Sequence, residues 1–292
     1  MLSKDIATIS RTLEIIQKHG FHFKKGFGQN FLVDLNILNK IVDHAEITKN
    51  TYVIEIGPGI GSLTEQLAKK AKKVVCYEID KTLIPILEET LKDYNNIKII
   101  NEDVLKADIK ELINTEFCDA SDIALVANLP YYITTPILMN LLEQKLPIKR
   151  YCVMIQKEVA QRLSGTPGTK DYNALSVAIQ YYTEPKIVLN VPRTVFIPQP
   201  NVDSAVLKLK VRTTPLVEVK DEKLFFHVVK GSFIQRRKTI LNNLKQTFTN
   251  ISSELLLEAL QQANLNPQTR GETLSIHDFA RLSNIIANLV HL

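Results

Sequence analysis

The chain has 292 residues, of which 45% are hydrophobic and 23% charged, with a net charge of +5 and a pI near 8.9. That length accommodates one large core plus a smaller domain, and the composition excludes a disordered or fibrous chain. The opening "MLSKDIATISRTLEII" has no secretory apolar core, and no run of about 18 apolar residues is present to span a bilayer, so a soluble cytoplasmic protein is expected.

A basic stretch, "KHGFHFKKGFGQ", comes first. From residue 51, short apolar runs alternate with amphipathic segments: "TYVIEIG", "SLTEQLAKKA", "KVVCYEI", "LIPILEETLKDY", "NIKIINED", "IALVANL", "TPILMNLLEQ" and "YCVMIQ". This alternation predicts βαβ units and an α/β fold with a doubly wound, mostly parallel sheet. "KIVLNVP" and "AVLKLKVR" flank the Pro-rich "VPRTVFIPQPNVDS" and predict later, partly antiparallel strands. Beyond about residue 215 the pattern turns helical, and the Ser275 to Asp278 start has the form of an N-cap with an acid in the first turn. The expected domains are 1–215 and a small all-α domain over 216–292, with "TTPLVEVKDE" as linker. Cys76, Cys118, Cys152 and the six histidines show neither metal-ligand spacing nor a disulfide framework, so no metal is expected.

The first strand runs into "EIGPGIGS", with glycines at 57, 59 and 61. Where a dinucleotide fingerprint requires its third glycine the chain has Ser62, and Glu55 precedes the loop, which suits a cationic or zwitterionic ligand better than a pyrophosphate. Glu78 closes the second strand, 21 residues past Gly57, the spacing of an acid that accepts from ribose hydroxyls. Asp103 closes the third, where it can take the exocyclic amine of an adenine. In a parallel sheet these strand ends face one crevice. A ribose, an adenine and a sulfonium without phosphate together describe S-adenosylmethionine, although a glycine turn followed by solvated strand-end acids is also an ordinary structural feature.

"NLPY" at 128–131 ends the fourth strand at the same crevice. An adenine amine is a poor nucleophile, and its methylation calls for acceptors that hold its N–H groups and for a flat surface under the base. Asn128 offers a side-chain carbonyl, Pro130 fixes the chain so that the Leu129 carbonyl can face the amine, and Tyr131 offers an aromatic face. A plain helix start, with Asn as cap and Tyr as core, is the competing reading.

"FKKGFGQNFL", "EIGPGIGSLT", "YEID", "NED", "NLPYYITTPIL", "VFIPQPNVDSAV", "RRKTILNNL" and "RGETLS" stand in one order along nearly the whole chain. In this the chain resembles the KsgA/RsmA family of small-subunit rRNA adenine dimethyltransferases. The resemblance implies a Rossmann-like S-adenosylmethionine-dependent methyltransferase domain with a basic N-terminal helical extension. It also implies dimethylation of the N6 amines of two adjacent adenosines in the 3′-terminal hairpin of 16S rRNA, with four cofactor molecules consumed. It implies that Asn30 and Leu32 fold over the cofactor, that Gly57, Glu78, Asp103 and Asn128 contact it, and that Phe196 sandwiches the target base opposite Tyr131. Lys24, Lys25, Arg236, Arg237 and Lys238 are candidate phosphate contacts, each also readable as a solvated surface residue. The expected partner is the small ribosomal subunit, met by a monomer with no membrane association. Two alternatives remain: a large-subunit rRNA adenine methylase of the macrolide-resistance type, and an assembly checkpoint factor whose methylation is secondary.

Overall fold

A computed structural model describes residues 5–290, apart from the side chain of Lys25. The chain divides into two compact units, one running to Ala160 and resuming over Lys186–Val211, the other formed by Gln161–Pro185 and the chain from Arg212 onward. The boundary therefore differs from the one expected at residue 215. Within the second unit the helix Ala174–Tyr182 packs on Glu222–Ser232, with the Tyr181 ring 5.2 Å from that of Phe225. Burial of these aromatic faces ties residues 161–185 to helices far along the chain.

The first unit is built on β1 (Phe31–Leu32), β2 (Tyr52–Ile56), β3 (Lys73–Tyr77), β4 (Ile97–Ile100), β5 (Ile123–Asn128), β6 (Arg150–Gln156), β7 (Thr183–Val191), β8 (Phe196–Ile197) and β9 (Ser204–Val211). Seven strands form a sheet in the order β4-β3-β2-β5-β6-β9-β7, while β1 and β8 make a separate antiparallel pair. Strands β2 to β6 pair in parallel and β9 runs antiparallel to β6, as the two late β-rich runs lead one to expect. Tyr52 to Ile56 and the first five residues of β5 are buried throughout, so these strands are continuous apolar runs with both faces covered.

One face carries a core of Leu38, Ile41 and Val42 from the helix Leu35–His44 and Leu63 and Leu67 from the helix Ser62–Lys70. A second core joins Phe21 and Phe31 to Ile86, Leu87 and Leu91. Each fully buried Leu or Ile contributes on the order of 2 kcal/mol of transfer free energy.

Connectivity places the site. The chain leaves β2 for β3 and β4 on one side, then returns to lay β5 on the other side of β2. The order reverses between β2 and β5, and an open parallel sheet has its crevice at the carboxyl ends of such a pair. Ile56 pairs with Tyr77 on one side and Ala127 on the other, so Gly57, Glu78 and Asn128 follow in one row.

The second unit is helical from Glu222 onward, through Glu222–Ser232, Ile240–Thr247, Ser253–Gln262 and Ile276–Leu289. The last helix opens with the expected cap as a full capping box: Ser275 Oγ accepts from the Asp278 amide, and Asp278 accepts from the Ser275 amide at 2.9 Å. Among the described residues no helix is long and apolar enough to cross a membrane.

Candidate active site

Strand β2 ends at a turn that favours glycine. Gly59 has φ +62°, and a Cβ there would stand 3.0 Å from the Phe31 ring, so a side chain would be strained by backbone handedness and would crowd that ring. The turn leads into Ser62–Lys70 through Gly61, whose φ is +93°.

Three acids surround the turn. Glu55 is 1% exposed and accepts from Cys76 Sγ at 3.4 Å, and burial pushes its carboxyl up to about 7. Glu78, just past β3, accepts from the Asp80 amide at 2.8 Å and from the Gly59 amide at 3.3 Å. Burial raises it to about 7 against those two N–H groups, because losing solvent costs the charged form more than two amides return. Asp103 stands three residues past the end of β4, where its Oδ1 accepts from the Leu105 amide at 3.1 Å. Asn101 Nδ2 donates to the Glu78 carbonyl at 2.7 Å and holds these two strand ends together.

At the end of β5, Asn128 Nδ2 donates to the Asn30 carbonyl at 3.2 Å, which turns Oδ1 the other way. The Leu129 amide continues the sheet by donating to the Met154 carbonyl at 3.1 Å. The Pro130 carbonyl accepts from the Ile133 amide and Thr134 Oγ1. Among the described residues nothing donates to Asn128 Oδ1 or to the Leu129 carbonyl, and both residues line the cavity. The Tyr131 hydroxyl lies 2.7 Å from Ser204 Oγ, a contact that fixes the ring. Burial raises the pKa of that hydroxyl, so it stays neutral at physiological pH.

A cavity of about 1130 Å³, counted with its open mouth, is lined by Asn30, Leu32, Gly57, Glu78, Asp103, Asn128, Leu129, Pro130 and Tyr131, and also by Glu55, Gly59 and Ser62. Phe196 is not brought to it. Its ring is 3% exposed in the core, where β8 pairs it with Leu32, so in this arrangement it offers no face across from Tyr131. Sequence reasoning missed Asp80, Gln29 and Tyr132. The last of these is 57% exposed on the cavity rim, and Asp80 was available as the final letter of "YEID".

The basic candidates separate. Lys24 is engaged with Asp80 at 2.7 Å, and the side chain of Lys25 lies outside the described residues. Arg236 pairs with Glu272 at 2.5 Å, while Arg237 and Lys238 are exposed. All three of the latter group lie in the turn before Ile240–Thr247 rather than on a helix face.

The donor set fits S-adenosylmethionine. Carboxylates at the strand ends suit ribose hydroxyls and an amine and would repel a pyrophosphate, and the glycine turn leaves room for close backbone approach. Fold and site together define a Rossmann-like S-adenosylmethionine-dependent methyltransferase. Residues 20–288 match the ribosomal RNA adenine dimethylase family, and the chain belongs to it. Ribosomal RNA small subunit methyltransferase A of Bacillus cereus is 59% identical over 285 residues, covering 97% of this chain and 98% of the relative, and its Bacillus mycoides counterpart matches equally. Among solved structures, a dimethyladenosine transferase from Plasmodium falciparum has TM-score 0.72 at 26% identity, covering 86% of this chain and 95% of that one. The 23S rRNA methyltransferase ErmE has TM-score 0.66 at 29% identity, covering 87% and 98%.

Proposed function

We propose that this protein dimethylates the N6 amines of two adjacent adenosines in the 3′-terminal hairpin of 16S rRNA, acting as a cytoplasmic monomer on the small ribosomal subunit. The observation that carries the reading is that Asn128 and Leu129, whose side-chain and backbone oxygens accept from no described residue, line one cavity with Glu78 and Asp103. The small-subunit choice over the large follows the relatives, at 59% identity against 29% for ErmE.

S-adenosylmethionine supplies a methyl group made electrophilic by its sulfonium. Glu78 would accept from the ribose hydroxyls and Asp103 from the adenine amine, with Gly57, Asn30 and Leu32 enclosing the rest. Asn128 and Leu129 would receive the two N–H groups of the target amine. That pairing would turn the nitrogen lone pair out of the ring plane, toward the methyl group that the cofactor supplies. Neither acceptor is a base of useful strength, so the amine's proton passes to solvent. Tyr131, held by Ser204, stacks on the base, and Phe196 completes the sandwich only if it leaves the core. After one transfer a single N–H remains for the acceptor pair, which keeps the monomethylated amine a substrate. Arg237 and Lys238, with Lys25 and whatever Lys24 and Arg236 contribute beyond their ion pairs, contact phosphates.

Asn128→Ala tests this. Turnover should fall on the order of 100-fold, well beyond the loss of cofactor affinity by calorimetry, which should stay within about tenfold because only the hydrogen bond to Asn30 is removed from the cofactor side. Equal loss of both would remove Asn128 from the chemistry.

A further inference from the structure

The segment 24–30 forms one wall of the cavity through Phe27, Gly28, Gln29 and Asn30. It has only a short 3-10 turn at Lys25–Phe27, and none of its described residues is fully buried. Apolar packing therefore does little to hold it, and its attachments are polar.

One attachment is at the chemistry end, where the Asn30 carbonyl accepts from Asn128. The other is at the cofactor end and centres on one carboxylate, with Lys24 Nζ also donating to Thr82 Oγ1 at 3.1 Å. Asp80, whose side chain is 1% exposed, accepts from Lys24 Nζ at 2.7 Å on Oδ1 and from Gln29 Nε2 at 2.8 Å on Oδ2. Gln29 Oε1 accepts from the Lys24 amide at 2.8 Å, so the segment closes into a ring around Asp80. Thr82 supplies two more donors to Oδ1, from its amide at 3.0 Å and its hydroxyl at 2.6 Å. The Asp80 amide in turn donates to Glu78 at 2.8 Å, so the carboxylate that anchors the segment is two residues from the acid assigned to the ribose.

We propose that Asp80 is a positioning residue that latches the 24–30 segment over the cofactor through Lys24 and Gln29, and thereby sets how long S-adenosylmethionine and its demethylated product stay bound. This rests on the functional reading above. The charge pair is the strong element: Lys24 donates from a flexible stem 43% exposed to a buried, pre-oriented acceptor, so it can open and reclose without disturbing the core. Four transfers per substrate require repeated exchange of product for fresh cofactor, and a polar latch allows that exchange where a packed wall would oppose it.

The test measures dissociation of S-adenosylmethionine and of S-adenosylhomocysteine from the RNA-free full-length protein. The variants are Asp80→Asn, Lys24→Met, their combination and Lys24→Arg. Each of the two single disruptions should speed dissociation on the order of tenfold, and the combination should be no faster than Asp80→Asn alone. Lys24→Arg should restore the slow rate. For Asp80→Asn the KM for S-adenosylmethionine should rise by a similar factor, with kcat at saturation within about threefold. Lys24 is on a surface segment, so Lys24→Met answers the question even if Asp80→Asn folds poorly. Unchanged dissociation, additive effects, or a fall in kcat without a rise in KM would overturn the latch. Wild-type protein that binds no S-adenosylmethionine would instead overturn the functional reading, and the latch with it.

Discussion

Raising the pH from 6 to 8 should tighten S-adenosylmethionine binding about tenfold through Glu78 alone. Burial holds this carboxyl at about 7 in the folded protein, opposed by the Asp80 and Gly59 amides. Its ionised form is the one that accepts from two ribose hydroxyls. At pH 6 roughly one molecule in eleven has it ionised, and at pH 8 roughly ten in eleven, which makes the ratio about ten. The folded value lies above the unfolded one, so the stability this group contributes is complete below about 4.5 and is lost as the pH rises through about 7. The cofactor thus binds the form that the empty fold disfavours, and its stabilising effect should grow with pH. Calorimetry at pH 6, 7 and 8 on the wild type and Glu78→Gln supplies the assay, the variant cancelling the titration of the cofactor's own amino group. Binding at pH 6 should release close to one proton in the wild type and none through this position in the variant. Equal pH slopes in the two proteins would refute the reasoning.

Gly59→Ala should cost about 1–2 kcal/mol from handedness alone, with the Phe31 contact adding to it, and an unchanged denaturation midpoint would contradict this. Arg237→Glu combined with Lys238→Glu should weaken RNA binding and lower the slope of log K against log salt by on the order of two; a slope equal to the wild type's would exclude both as phosphate contacts. Asp122→Asn should destabilise the first unit by about 3 kcal/mol, read by chemical denaturation, because Arg150 is nearly buried and donates two hydrogen bonds to that carboxylate at 2.6 and 2.9 Å. Its hydrogen bond to Arg150 holds Asp122 at about 2, so this contribution is present above pH 3.8 and should fade as the pH drops toward 2.

The row formed by Gly57, Glu78 and Asn128 was legible because a parallel sheet has little freedom. Once "VIEIG", "VCYEI" and "ALVAN" are strands, their ends must meet, and the residues after each strand are brought together whatever the helices do. The same local logic carried the Ser275 cap. What could not be read depends on partners remote in sequence. Nothing near Asp80 in the chain points to Lys24 and Gln29, more than fifty positions away. Phe196 stands in a Pro-rich stretch that reads as a loop, yet pairing with the two-residue β1 draws it into the core, and strands that short leave no periodicity to detect. Residues 161–185 pack with the helical unit through Tyr181, whose partner Phe225 lies beyond the expected linker. The triplet at 236–238 was grouped with the helical run that follows it, and Thr239 as N-cap moves the helix start past it.

The most direct test of the central claim is transfer of labelled methyl groups from S-adenosylmethionine to small ribosomal subunits that lack the modification, with large-subunit rRNA in parallel and mass spectrometry of the digested nucleosides. The expected product is N6,N6-dimethyladenosine at two adjacent positions of 16S rRNA and none in the large-subunit RNA. Product confined to large-subunit RNA, or tight subunit binding with no product, would contradict that claim.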